Sequence, residues 1–190
     1  LLQKIHLNIA NLFILCFYCI SHFVWLLTFE WHGGDLLCRL STFLWNFSFH
    51  LLSWTEMMIA LDRRFTVLAM KLAWKKNKLN KLVVRSAESL RRTKAMIAGV
   101  YVLSAVLSSP QLYIWGVFKV NEGWTQCVTI WDIERYHIFL KSSTKGWSSE
   151  KFSWEVVYMV IHLLTVFWIP CATIITCYSL VVYSLVARHK

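Results

Sequence analysis

Residues 38–64 read CRLSTFLWNFSFHLLSWTEMMIALDRR, and everything else in the chain is read outward from this stretch. It is an apolar run with Cys38 at one end and an Asp62-Arg63-Arg64 step at the other. As a helix rising about 1.5 Å per residue, Cys38 to Arg63 covers ~37 Å. That slightly exceeds the ~30 Å hydrocarbon core of a bilayer. The cysteine then falls at one water interface and the arginines at the other.

The flanking sequence agrees. Hydrophobic residues make up 57% of the 190, mean hydropathy is +0.51, and soluble domains run nearer 45–50% apolar. The expected fold class is an all-α integral membrane protein. Spans are predicted at about 5–29, 36–70, 95–118 and 152–186, forming a single transmembrane domain over 1–190. Asn8, Asn11, Ser21 and His22 interrupt the first span. Glu30-Trp31-His32-Gly33-Gly34-Asp35 ends it, two glycines breaking the helix and Trp31 placed as an interfacial aromatic. Pro110 lies near the outer end of the third span, where it ends or kinks the helix, and Pro170 sits mid-way along the fourth.

Charge sets the sidedness. The loop 71–94 carries Lys71, Lys75, Lys76, Lys78, Lys81, Arg85, Arg91, Arg92 and Lys94 against Glu88 alone, which places it in the cytoplasm. The segment 119–151 is mixed in charge and suits the outside. A net charge of +10 invites a nucleic-acid reading, but the bases concentrate between apolar spans, so membrane topology accounts for them and no nucleic-acid partner is expected. The chain opens Leu-Leu-Gln-Lys and closes directly after an apolar run, and the expectation is an internal piece of a longer polytopic protein.

Four of the six cysteines (Cys16, Cys19, Cys171, Cys177) fall within apolar runs, where a thiol behaves as a small hydrophobe. Cys38 and Cys127 both land outside, in an oxidising compartment where a disulfide can persist. No pair of CxxC motifs has zinc-like spacing.

These residues carry a resemblance. A cysteine opening a span, an Asp-Arg step 25 residues later, a second cysteine in the next outer loop, and a proline followed eight residues on by a tyrosine (Pro170, Tyr178) resemble a rhodopsin-type (class A) G-protein-coupled receptor. The piece matches the second through fifth of seven transmembrane helices, a partial bundle. Residues 6–12 (HLNIANL), 31–38, 109–114 (SPQLYI) and 126–129 (QCVT) further resemble the gonadotropin-releasing-hormone receptor group, with its adipokinetic-hormone, corazonin and vasopressin-type relatives.

The resemblance implies a multi-pass plasma-membrane receptor that passes binding of an extracellular peptide hormone to a heterotrimeric G protein. It is not an enzyme and needs no cofactor. Cys38 and Cys127 would form the disulfide that holds the outer loop over the pocket. Asp62 and Arg63 would be the inner ion-pair switch, with Tyr178 as the inward tyrosine of the fourth span, although a positive-inside flank and an interfacial aromatic are the plainer readings. Arg64 stands where the family usually has an aromatic. His22, Trp45, Asn46, Gln111 and Tyr113 would line the ligand pocket, and His50 and Ser53 share the Asn46 face. Interhelical hydrogen bonding also explains such residues. His22 and Trp45 replace the Asp and Lys of mammalian relatives, so ligand identity does not carry over.

Asn11 and Glu56 are expected to face the bundle interior, where carboxylates in membranes normally point. Glu56 departs from the family's apolar residue, and Asn11 stands where most members place a sodium-binding aspartate. The rival readings are a truncated, non-signalling receptor form, a transporter, or a membrane-embedded enzyme. His6, His22, His50 and His162 are scattered through depth without an HxxxH or ExxH pair, so no metal centre is expected. No glycine-rich break or internal repeat points to a transporter.

Overall fold

The computed structural model describes residues 2–75, 82–121, 123–141 and 149–186. Lys76, Lys78 and Lys81 of the basic loop lie outside the described residues.

Helix α1 covers Leu2–Thr28, with a π-helical turn at Ile14–Cys19. Helix α2 covers Gly34–Lys75, and α3 covers Leu82–Ser108. A single turn, α4 (Gln111–Ile114), leads into an antiparallel hairpin of β1 (Trp115–Asn121) and β2 (Trp124–Thr129). Helix α5 (Ile130–Lys141) follows. Helix α6 runs through Ser149–Leu163, a π-helical turn at Leu164–Trp168, and Ile169–Val186.

Helix α2 is the axis, packing against α1, α3, α4, β1 and α6. No glycine or proline interrupts Asp35 to Lys75, so the helix runs unbroken for 42 residues. Most of its buried residues form two helical stripes, Cys38, Thr42, Asn46 and His50, then Leu51, Thr55, Met58 and Asp62, with Ser48 and Ala60 buried beside them. Several are polar. Buried hydroxyls are satisfied one turn back on their own helix, as Thr42 Oγ1 donates to the Cys38 carbonyl (3.0 Å) and Thr55 Oγ1 to that of Leu51 (2.6 Å). Below mid-helix, Leu51 and Met58 meet Ala10 of α1 and Ile97 and Val100 of α3 in an apolar cluster.

Among the described residues, three helical stretches are long and apolar enough to cross a membrane: Leu2–Thr28, Ser89–Ile114 and Trp154–Val186. Helix α2 is not among them. Its inward polar side chains lower its hydropathy, because it faces other helices where the three outer spans face lipid.

The first span ends within a residue of the expected 29, but its ending device, the end of the third helix and the outer segment differ from the sequence reading. Helix α1 ends on Phe29, which takes the left-handed conformation (φ 52°) and caps the helix with its N–H on the Trp25 carbonyl at 3.0 Å. The glycines lie beyond that end, and Gly34 (φ +70°) opens α2 instead. The third helix stops at Ser108, not 118. Proline disfavours a helical residue before it, and Trp115–Val120 is rich in aromatic and β-branched residues that suit a strand. The outer segment, expected to be a polar loop, is instead a hairpin followed by a helix. Gly123 (φ +106°) makes the turn between the strands.

Candidate functional site

The outer end of α2 is fastened from several directions. Cys38 and Cys127 form a disulfide with their Cα atoms 5.7 Å apart, joining α2 to β2. Asp35 accepts from the Val117 N–H (3.1 Å) and from Arg39 Nε (2.8 Å), while Arg39 Nη1 donates to the Leu112 carbonyl (2.9 Å). The Val117 bond first, and Arg39 second, hold the Asp35 carboxyl below its ordinary range. The turn between α1 and α2 grips β2 as well. The Trp31 N–H donates to the Thr125 carbonyl (2.9 Å), Thr125 Oγ1 to the Trp31 carbonyl (2.6 Å), and Gln126 Nε2 to the Phe29 carbonyl (2.6 Å).

Helix α5 is anchored by a reciprocal cap. Thr129 Oγ1 donates to Asp132 Oδ2 (2.6 Å), and the Asp132 N–H donates back to that hydroxyl (3.2 Å). Arg135 bonds both Asp132 and Glu155, joining α5 to α6. Burial pushes the Asp132 carboxyl up, but the Thr129 hydroxyl, Arg135 and the Thr129 N–H outweigh it, leaving it below the ordinary value. The bonds to Glu155 and then Asp132 raise the Arg135 guanidinium.

Below the hairpin lies an aromatic cluster. His22 stacks on Trp45 (6.0 Å, 28°), Trp25 lies 6.1 Å from Trp45, and Tyr18 meets both His22 (5.3 Å) and Trp45 (5.8 Å) edge-on. Trp45 Nε1 donates to Ser21 Oγ at 2.7 Å, and Trp25 Nε1 reaches Gln126 Oε1 at 3.4 Å. The cluster thus joins α1, α2 and the hairpin.

A polar seam runs deeper, between α2 and α6. Gln111 Nε2 donates to the Tyr158 hydroxyl (2.7 Å), Tyr158 stacks on His162 (6.2 Å, 6°), and His162 meets His50 edge-on at 5.4 Å. At the inner end, buried Asp62 accepts from Gln3 Nε2 (2.8 Å) and Arg92 Nη2 (2.9 Å), and the Arg92 guanidinium lies 5.3 Å over the Phe65 ring. Arg63 is exposed and has no hydrogen bond or ion pair among the described residues. Arg64 Nη1 donates to Ser184 Oγ of α6 at 3.3 Å.

Comparison with known proteins identifies this architecture. The model of the 7 transmembrane receptor (rhodopsin family) matches residues 4–190. The chain belongs to the rhodopsin family of seven-transmembrane receptors. It is 34% identical over 183 residues to the G-protein coupled receptor daf-38 of Caenorhabditis elegans, covering 95% of this chain and 40% of that protein. It is 26% identical over 157 residues to the gonadotropin-releasing hormone II receptor of Clarias gariepinus (82% of this chain, 34% of that one). With the gonadotropin-releasing hormone receptor of Bos taurus it shares 30% identity over 130 residues (65% and 36%). The chain thus spans about two fifths or less of the length of these three relatives. This rhodopsin-family chain is a multi-pass plasma-membrane protein with a partial helical bundle, and its relatives are receptors, not enzymes.

The receptor fold brings some expected residues together and separates others. His22 and Trp45 stack. Asn46 and Gln111 are buried but make no ring contact or hydrogen bond with that stack among the described residues, and Gln111 turns instead to Tyr158. Tyr113 is 75% exposed and stands apart. Asn11 and Glu56 lie on exposed faces of α1 and α2, and Tyr178 is 45% exposed on α6. Pro110 opens α4, and buried Pro170 follows the π-helical turn of α6 by two residues, a wider turn that suits a residue without an N–H.

Sequence reasoning missed Tyr18 and Trp25, although they stand one turn either side of His22 and their spacing could have shown it. It also missed Gln3 and Arg92 as the partners of Asp62. No local pattern joins residues on three different helices.

Proposed function

We propose that this chain is the central part of a G-protein-coupled receptor for a gonadotropin-releasing-hormone-like neuropeptide. In this reading the hormone enters from the hairpin side, where His22, Trp45, Asn46, Gln111 and Tyr113 line its path. The basic 71–94 loop faces the cytoplasm and a heterotrimeric G protein. Arg63 is the group the G protein captures, with Asp62 controlling its availability and Tyr178 completing the inner site. Asn11 and Glu56 lie on the faces that meet further helices of the bundle.

One observation carries the reading: Asp62 is engaged by Gln3 and Arg92, and Arg63 has no partner among the described residues at the inner end of the axial helix. An ion-pair element with exchangeable partners is what a two-state receptor requires. Hormone that favours one arrangement shifts the population by its differential affinity. The names of the relatives support the hormone class.

The test is cell-based signalling by the full receptor, challenged with gonadotropin-releasing-hormone, adipokinetic-hormone, corazonin and vasopressin-type peptides. One class should activate it. Arg63→Ala should abolish G-protein activation while surface delivery persists. Silence toward every peptide class overturns the ligand reading, and normal signalling by Arg63→Ala overturns the switch.

A further inference from the structure

We propose that His50 and His162 together chelate a divalent transition-metal ion of the zinc type, bridging α2 to α6. The pair stands on geometry. His50 is 1% exposed, and neither Nδ1 nor Nε2 has a hydrogen-bond partner among the described residues. A buried imidazole normally finds a partner for each nitrogen. The ring that faces it is a second imidazole, His162, with centroids 5.4 Å apart and planes at 79°. Two imidazoles sharing one tetrahedral ion at ~2.0–2.1 Å per nitrogen have ring centres roughly 5 Å apart. The observed 5.4 Å matches the spacing of two ligands of one ion, reached by turning the two rings about their side-chain bonds so that a nitrogen of each faces the other.

The surroundings hold the second ligand in place. His162 lies parallel to Tyr158, which is fixed by the 2.7 Å bond from Gln111 and by the Trp131 ring at 5.7 Å. The stacked Tyr158 ring limits how far the His162 ring can tilt. The donor type selects the ion: imidazole nitrogen suits zinc, copper or nickel, whereas magnesium and calcium want oxygen. No third His, Cys, Asp or Glu joins the pair among the described residues, so water completes the coordination and the site is weaker than a three- or four-ligand centre. Because the two ligands sit on different long helices, the ion is a bridge across the bundle and links metal occupancy to the separation of α2 and α6.

The experiment is a calorimetric titration of zinc chloride into the full chain in lipid nanodiscs, alongside His50→Gln and His162→Phe. Phenylalanine keeps a ring stacked on Tyr158. Wild type should bind one zinc with micromolar affinity, and each variant should weaken that event at least about tenfold. Magnesium should give no heat. Zinc held by other histidines or cysteines survives in both variants. Should His50→Gln fail to fold, His162→Phe decides alone. Absence of micromolar zinc binding in wild type, or unchanged binding in His162→Phe, overturns the proposal.

Discussion

The two ends of α2 are held by different kinds of interaction. At the outer end a covalent bond from Cys38, the Asp35–Arg39 pair and a hairpin bonded to the preceding turn all fix one arrangement. At the inner end Asp62 is held by Gln3 and Arg92, side chains from two other helices, and Arg63 has no hydrogen bond or ion pair among the described residues. The outer contacts include a covalent bond and backbone groups that have few alternatives. The inner ones are between side chains that can change partners within one rotamer step. A rigid mouth and an exchangeable floor on one helix is the division that the proposed transmission along α2 needs.

The largest effect should come from breaking the rigid end. Cys127→Ser removes a cross-link between residues 89 apart in sequence, and such bonds contribute ~2–4 kcal/mol. Thermal unfolding in detergent should show that loss, and surface delivery should fall. A variant that melts like wild type would show that the hydrogen bonds alone secure the outer end.

A smaller effect follows at the inner end. Arg92→Met leaves Asp62 with Gln3 alone, at a cost of about 1–3 kcal/mol for an under-satisfied buried acceptor. Asp62 is then free to take Arg63, so agonist-stimulated nucleotide exchange should drop while the receptor still reaches the surface. Adding Asp62→Asn to the same chain should restore exchange. If Arg92→Met signals as wild type, the partner exchange at this end is not what limits activation.

The smallest effect belongs to the cap of α5. Asp132 has a folded pKa below its ordinary value of 3.8, so it contributes stability that is present above that value and lost as pH falls through the folded one. Amide protection factors in 130–135, referred to the intrinsic exchange rate at each pH, should therefore fall on acidification below about pH 4. Asp132→Asn should remove that pH dependence, with a cost of about 0.5–1 kcal/mol in line with other helix caps. Unaltered acid sensitivity in the variant would place the effect elsewhere.

Much of the chain was legible from local pattern. The apolar runs and the basic loop follow from transfer free energy, which each residue carries wherever it sits. The cysteine and Asp-Arg spacing along α2 is a one-dimensional measure of helix length. The hairpin was not read, because Trp115–Val120 continues an apolar run and only pairing with 124–129 makes it a strand. Helix α2 was legible from its length and its end residues, not from hydropathy: it is absent from the three most apolar stretches, yet it is the helix the others pack on.

The sequence by itself determined that this protein lives in a membrane as long helices, since hydrophobicity and helix rise are properties of consecutive residues. Tertiary structure decided which polar groups meet: Asp62 with Gln3 and Arg92, His22 with Trp45, and His50 with His162. Those partners come from different helices, 23 to 112 positions apart in the sequence, and only the packing of one helix on another brings them into contact.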